Sequence, residues 1–359
     1  MRTETGVGIG PGLGTAGQVP VGVPVGVPAG VPAGVPVGVP VLGPTVGSRH
    51  AFAEASAVAQ ALHASLSGVL LGTPDPVTVA VVAALSGSHL LIEDVPGVGK
   101  TVLARALATT LGAKLSRIQG HPDLLPSDVT GITVFAQNTG TWDFRPGPVF
   151  AHVVLLDELN RTPPRTQSAL LESMEEQQVS VDGVSWPLPR PHLVIATQNP
   201  VGQLGTHPLV ESQLDRFGLS TSIGYPDAAV ETQLVLHHGG RYALDALGAV
   251  CDPPQWEQII ATTASVEVVT PVAEYAVALV RETRSAGTVR LGASPRAAIS
   301  LIRSAQAYAI LSNRAYVTPA DVQAMAVACL SHRLVIDGAA GDGRELVRHI
   351  IATVPVPQP

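Results

Sequence analysis

An apolar run, Leu90-Leu91-Ile92, ends at Glu93 and passes directly into Asp94-Val95-Pro96-Gly97-Val98-Gly99-Lys100-Thr101, which opens a helix-like segment, Thr101–Leu111. A strand that feeds a glycine-rich turn and then a helix is the context that a phosphate-binding loop requires. Gly97 and Gly99 let the backbone fold tightly enough for its N–H groups to face a phosphate, and the helix adds its positive N-terminal end. In such a loop Lys100 pairs with the β- and γ-phosphates of a nucleotide and Thr101 offers a hydroxyl to Mg²⁺. An ordinary glycine-rich strand-to-helix turn is the bland alternative. Asp94 stands where the general pattern has its first glycine; that position needs a turn conformation, which Asp tolerates better than most residues.

The surrounding segments alternate in the same manner. His89–Glu93, Lys114–Gln119, Val153–Asp157 and His192–Thr197 read as short buried strands, and Thr101–Leu111 and Pro163–Gln178 read as helices. Ala51–Leu71 and Val77–Leu85 precede them as further helical segments. This order predicts a parallel sheet covered on both faces. Two hairpins interrupt it, Thr133–Phe144 around Asn138-Thr139-Gly140 and Val179–Trp186 around Asp182-Gly183. From about Pro226 the strand pattern ends. Thr270–Arg284, Ser294–Leu311 and Thr318–His332 read as helices, the last with Thr318 as N-cap, Pro319 behind it and Asp321 in the first turn. The expected domains are therefore a tail at 1–47, an α/β nucleotide-binding domain at 48–225, and a linker with a helical lid at 226–359. Val354–Pro359 reads as a frayed end.

A second element strengthens the phosphate reading. Val153-Val154-Leu155-Leu156-Asp157-Glu158 is a buried strand that delivers two carboxylates to its C-terminal end, where ligands bind in such sheets. Asp157 is placed to hold the hydration shell of Mg²⁺, and Glu158 to orient and deprotonate an attacking water. A third strand ends in Ala196-Thr197-Gln198-Asn199, and Asn199 is a candidate to hydrogen-bond both the γ-phosphate and the water. On its own, that strand end would favour reading the asparagine as a helix or loop cap.

Charge and cysteine content narrow the function classes. The net charge is −7 and charged residues make up 14% of the 359 residues, against roughly 25% in an average globular chain. Nucleic-acid binding needs a basic face, so none is expected, and a DNA translocase is disfavoured for want of a basic, aromatic stripe. Lys100 and Lys114 are the only lysines. Cys251 and Cys329 are lone thiols without metal-type spacing, which fits a reducing compartment. The N-terminus lacks a signal-peptide pattern, and Val77–Leu85 falls short of the about 20 residues that cross a bilayer. A soluble, cytoplasmic protein without a membrane span is expected.

The tail is a case by itself. No charged side chain occurs between Gly6 and Ser48, and Pro20, Pro24, Pro28, Pro32, Pro36, Pro40 and Pro44 recur at a fixed interval in Val-Gly-Val-Pro or Ala-Gly-Val-Pro units. Such elastin-like repeats oppose packed helix or sheet. They read as a disordered extension, with self-association or partner binding as the sharper alternative.

Residues 155–176, Leu-Leu-Asp-Glu-Leu-Asn-Arg-Thr-Pro-Pro-Arg-Thr-Gln-Ser-Ala-Leu-Leu-Glu-Ser-Met-Glu-Glu, resemble the Walker B region of MoxR-type AAA+ ATPases. So do Ile118–Asp128, Gln213-Leu214-Asp215-Arg216-Phe217 and Gly292-Ala293-Ser294-Pro295-Arg296-Ala297, and the similarity runs from about residue 60 to 335 in the same motif order. The resemblance implies a P-loop AAA+ core with a helical lid that binds ATP and Mg²⁺. Pro96, Gly97, Val98, Gly99, Lys100, Thr101 and Val102 would hold the phosphates, Thr101 and Asp157 the metal, and Leu70, Leu71 and Gly72 the start of the adenine pocket. Here Gly-Thr-Pro-Asp replaces the glycine and glutamine or glutamate expected of the family, which leaves the adenine contacts open. Glu158 is implied as the catalytic base and Asn199 as sensor 1. Arg216 is implied to reach the neighbouring subunit's ATP site, and Arg296, as sensor 2, the γ-phosphate of its own subunit. The hairpins resemble the helix-2 insertion and the pre-sensor-1 hairpin, which would face a pore or a substrate. The implied function is ATP-driven remodelling or assembly of client proteins by a homo-oligomer, as a hexameric ring, with a von Willebrand A-type domain partner. A magnesium-chelatase-like motor subunit and a nucleotide-gated binding scaffold are the alternatives.

Overall fold

The computed structural model describes residues 46–199, 206–236, 241–336 and 342–358. Residues 1–45, and with them nearly all of the repeat tail, lie outside the described residues. The chain opens with α1 (Val46–Val69) and α2 (Pro74–Ser86), then β1 (Leu90–Glu93), α3 (Lys100–Thr110), β2 (Leu115–Gln119) and α4 (Pro126–Thr130). A hairpin of β3 (Gly131–Ala136) and β4 (Thr141–Pro146) leads to β5 (Val153–Asp157), a 3-10 turn at Leu159–Arg161 and α5 (Pro164–Glu176). A second hairpin, β6 (Gln178–Val181) and β7 (Val184–Pro187), precedes β8 (Leu193–Gln198), α6 (Glu211–Leu214) and β9 (Leu219–Thr221). Helices then dominate: α7 (Ala228–Leu236), α8 (Arg241–Asp245), α9 (Pro253–Ala264), α10 (Thr270–Ser285), α11 (Pro295–Leu311), α12 (Pro319–Leu330) and α13 (Gly343–Thr353).

Strands β2, β5, β8, β1 and β9 form one sheet in that order, and every neighbouring pair is parallel. The strict alternation of side chains along a strand divides its apolar residues between two cores. Leu90, Ile92, Val153, Leu155, Leu193 and Ile195 face one core, together with α1, α2, α3 and most of the helical region. Leu91, Val154, Leu156, Val194 and Ala196 face the other, under Leu170, Leu171 and Met174 of α5. That both faces are buried explains why these strands read as unbroken apolar runs. The helical region shares the first core: Trp256 of α9 is buried, and its Nε1 donates to the carbonyl of Ala84 in α2 at 2.8 Å.

Three expectations need correction. Strands do not end at Pro226, because β10 (Val289–Leu291) and β11 (Val335–Ile336) form a small antiparallel pair within the helical region. Two long helices, α9 and α13, and the strand β9 stand beyond the expected elements. The expected helix Thr318–His332 ends as α-helix at Leu330 and tightens into a 3-10 turn over Ser331–Arg333. Its start is as expected: the Thr318 N–H donates to Asp321 Oδ2 at 2.7 Å, and Asp321 is buried against Arg314. Both cysteines are free and buried, and burial pushes the Cys251 thiol up to about 11. Among the described residues, no helix is long and apolar enough to cross a membrane.

Candidate functional site

The C-terminal ends of β1, β5 and β8 meet in a cleft of about 280 Å³ lined by Pro96, Gly97, Gly99, Lys100, Thr101, Val102, Arg117, Asp157, Glu158 and Asn199. The loop that follows β1 needs left-handed backbone at Gly97 (φ 89°) and Gly99 (φ 100°), which only glycine adopts freely. Lys100 is buried, and its Nζ donates to the carbonyls of Asp94 at 2.7 Å and Val95 at 3.0 Å. Burial lowers the pKa of Lys100, against the opposing pull of Asp94, Asp157 and Glu158.

Strand β5 presents the acidic pair. Asp157 accepts from the Thr197 hydroxyl at 2.8 Å and pairs with Arg117 at 2.5 Å. Glu158 sits in the left-handed region (φ 55°), an unusual conformation for a non-glycine residue and one that recurs at functional sites. Its N–H donates to the same Thr197 hydroxyl at 2.9 Å. One Glu158 carboxylate oxygen accepts from Asn199 Nδ2 at 3.3 Å, and the other accepts from Arg161 at 3.0 Å. The neighbouring turn must come close for this: Gly120 N–H donates to the Asp157 carbonyl at 2.7 Å, and a Cβ at Gly120 would lie 2.2 Å from the Glu158 carbonyl oxygen.

Thr101 and Asp157 offer a hydroxyl and a carboxylate to one cleft, the hard oxygen donors that Mg²⁺ prefers. Each Asp157 oxygen keeps lone-pair capacity beyond its present partner, so the residues present fit such an ion.

Asp94 corrects its own expectation. Its φ is not positive, so the turn makes no special demand there. The residue is buried, and its side chain reaches Ser222, Ile223 and Gly224 instead. Leu70 packs near Gly99, with its Cδ2 3.7 Å from the point where a Cβ would stand. Leu71 is half-buried. Gly72 opens onto a separate cavity of about 550 Å³ that also touches Thr73, Ser222, Met325 and Arg344.

The two remaining arginines lie elsewhere. Arg216 and Arg296 share Glu175: Arg216 pairs with it at 3.4 Å, and Arg296 with its other oxygen. The hydrogen bond from Arg296 holds the Glu175 carboxyl below the usual carboxylate range. This cluster adjoins Gly87, Ser88 and His89, ahead of β1, whereas the glycine-rich loop follows β1. Four strand residues at about 3.3 Å each separate the two ends. The expectation that Arg296 reaches the phosphates of its own chain is therefore not met. The reason is that α11 packs along α2, and its first turn, capped by Ser294, arrives at the opposite edge of the sheet.

Around this cluster the helical region is pinned to the α/β region. Asp215 accepts from the Ser294 hydroxyl at 2.9 Å and pairs with buried Arg333 at 3.0 Å, while Arg333 also donates to the Phe217 carbonyl at 2.8 Å. His332 Nε2 donates to that same carbonyl at 3.0 Å. Arg117 at the cleft and Arg333 here lie outside every quoted motif, and Arg161, Thr197 and Glu175 lie within quoted segments that assign them no role. Only strand order and packing bring them in.

Residues 89–219 match the family described as ATPase family associated with various cellular activities (AAA), and residues 281–352 match the AAA lid domain. The chain is similar to protein YeaC of Bacillus subtilis, with 42% identity over 296 residues, 81% of this chain and 92% of YeaC. It is similar to Chaperone MoxR1 of Mycobacterium tuberculosis, with 36% identity over 312 residues, 81% of this chain and 80% of MoxR1. A crystal structure from Cytophaga hutchinsonii matches with a TM-score of 0.80 at 31% identity, covering 87% of this chain and 98% of that one.

Proposed function

Since the chain belongs to the MoxR family of AAA+ ATPases, we propose that it binds ATP in the cleft after β1, hydrolyses it, and uses the cycle to remodel or assemble client proteins. The observation that carries this reading is the convergence of Lys100, Thr101, Asp157, Glu158 and Asn199 on one cleft from three separate strand ends.

Each residue has a part that follows from its chemistry. Backbone N–H groups of the 97–101 loop and the first turn of α3 receive the phosphates, and Lys100 turns from the Asp94 and Val95 carbonyls to neutralise them. Thr101 and Asp157 would hold Mg²⁺, which would supply Lewis-acid neutralisation of phosphate charge when bound. Glu158 accepts a proton from the attacking water, and Asn199, hydrogen-bonded to Glu158, fixes the direction of that carboxylate. Water adds to the γ-phosphorus, the bond to the bridging oxygen breaks, and ADP and phosphate leave. A nucleotide-gated scaffold without turnover would have little use for the Glu158–Asn199 contact.

The position of Arg216 and Arg296 supports a ring. Neither arginine can serve the cleft of its own chain, and both sit together at the other end of β1, so we assign both to the γ-phosphate of a neighbouring subunit. Planar guanidinium donors suit the charge that develops there. A homo-oligomer, as a hexamer, then completes each site from two chains, with a von Willebrand A-type protein as a companion in client handling.

The reading is tested with two variants. Lys100→Ala should lose ATP binding, and Glu158→Gln should keep binding while losing turnover. Tight nucleotide binding by the first, or normal phosphate release by the second, would remove the site assignment.

A further inference from the structure

Asp94 departs from the phosphate-loop pattern, and its backbone does not account for the departure, since φ is ordinary. Its side chain does. One carboxylate oxygen, Oδ1, accepts from the Val95 N–H at 2.8 Å, within the loop. The other, Oδ2, accepts from the Ile223 N–H at 2.6 Å, the Gly224 N–H at 2.7 Å and the Ser222 hydroxyl at 3.1 Å. Two consecutive amides, with Gly224 in the left-handed region (φ 72°), form the kind of nest that holds an anion. Burying a carboxylate is costly unless donors meet it, and here four do. A local turn cap would need only Val95. The other three donors stand 128 to 130 residues away, in the segment between β9 and α7 through which the chain leaves the α/β sheet for the helical region.

The opposite side of the same two residues faces the cleft. Lys100 Nζ donates to the carbonyls of Asp94 and Val95, and Asp94 N–H donates to the Gln198 carbonyl at 3.2 Å, next to Asn199. One dipeptide thus holds the phosphate-binding amine through its carbonyls and the exit segment through its carboxylate. We propose that Asp94 is a positioning residue that makes nucleotide occupancy and the placement of the 222–224 segment a single event, and so passes occupancy to the helical region. The inference rests on the reading of the cleft as the ATP site. When phosphate draws Lys100 away from the two carbonyls, any shift of the Asp94–Val95 backbone is delivered to Ser222, Ile223 and Gly224 by the carboxylate. Position 94 therefore governs turnover more than affinity.

The test compares Asp94→Gly, Asp94→Asn and Ser222→Ala with wild type in the full chain. It measures nucleotide affinity, kcat and KM, and hydrogen exchange of residues 222–236 with and without a slowly hydrolysed ATP analogue. Asp94→Gly restores the general loop pattern. It should bind nucleotide within about threefold of wild type while kcat falls about tenfold or more, and nucleotide should no longer change exchange at 222–236. Asp94→Asn keeps a carbonyl acceptor and should recover part of both effects. Ser222→Ala leaves the loop untouched and should show the same direction at smaller size, which keeps the inference testable if Asp94→Gly does not fold. Wild-type kcat and wild-type exchange response in Asp94→Gly or, should it not fold, in both other variants overturn it. So does a loss of affinity in Asp94→Gly that accounts for the whole rate loss, since Asp94 then serves the loop alone. If wild type itself binds no nucleotide, the ATP-site reading fails first, and that outcome is distinct from either of the others.

Discussion

The two ends of β1 are built differently. At the end that opens into the cleft, main chain shapes the loop and holds the lysine, while side chains hold the acidic pair. Gly97 and Gly99 shape the loop, carbonyls hold Lys100, and a buried threonine hydroxyl braces both Asp157 and Glu158. At the other end, side chains hold side chains. Glu175 is shared between Arg216 and Arg296, and Asp215 between Ser294 and Arg333. Main-chain geometry is set once, by folding. An ion pair in which the partners keep between 29% and 48% of their exposure can exchange partners at little cost. The comparison teaches that the lysine at the cleft is held by the main chain around it, whereas Arg216 and Arg296 at the other end are held, among the described residues, only by one shared, half-exposed carboxylate.

The strongest attempt to break that comparison targets Arg216. Arg216→Ala should bind ATP normally and hydrolyse it about 10³-fold more slowly in its own oligomer. Mixing it with Lys100→Ala, with subunit exchange verified before nucleotide is added, should restore part of the phosphate release, because some intact clefts then face intact arginines. Activity that stays at the single-variant level would return Arg216 to a structural role.

Acid should separate the ends next. His89 accepts from the Val194 N–H through Nδ1 and donates to the Met174 carbonyl through Nε2, so both nitrogens are used only by the neutral ring. Burial, helped by His192, lowers His89 to about 4; burial, helped by Arg333, lowers His332 to about 3. Both folded values lie below the ordinary 6.5, so the unfolded chain takes up protons first. Their contribution to stability is complete above 6.5 and is lost as pH falls toward 4 and then 3. The loss is at most about 1.4 kcal/mol per pH unit for each histidine. His89 adjoins the arginine end, His332 bonds the Phe217 carbonyl beside it and also borders a cavity with Asn199, and among the described residues no histidine lines the cleft. Between pH 7 and pH 5, hydrogen-exchange protection, corrected for the intrinsic pH dependence of the rate, should therefore fall around Asp215–Phe217 before it falls in the 94–101 loop. The reverse order would contradict the comparison.

The smallest effect belongs to Glu175→Ala. Half-exposed ion pairs contribute little, so chemical denaturation should show a change within about 1 kcal/mol. A larger loss would mean that Glu175 is a fixed strut and that the arginines are not easily released.

Much of this was legible in the sequence because it was local. The apolar run Val153–Asp157 coincides with β5 end to end, the glycine-rich loop passes directly into its helix, and both hairpins turn where Asn138-Thr139-Gly140 and Asp182-Gly183 stand. The missing parts depend on neighbours. Leu219–Thr221 is only three residues long and becomes a strand because β1 lies beside it. Arg117 meets Asp157 only because β2 pairs with β5 in a register that sets Gln119 opposite Asp157. The partners of Asp94 and Glu175 are set by strand order and helix packing, which carry no local pattern. The helices α9 and α13 begin behind Asp252 and Asp342, whose side chains accept from Gln255 and Arg344 N–H groups, N-cap signals that the sequence does carry.

Gly120 has a consequence for anyone who wishes to redesign this protein. The loop from Gly120 to Leu125 runs from β2 toward the first hairpin, and it is an obvious place to graft new contacts. Its first residue tolerates no graft: a single added carbon would collide at 2.2 Å with the carbonyl of Glu158, whose backbone already occupies an uncommon conformation. Libraries that vary this loop should therefore begin at His121. A variant at position 120 that appears to lose a contact made by this loop will have displaced the Glu158 backbone as well.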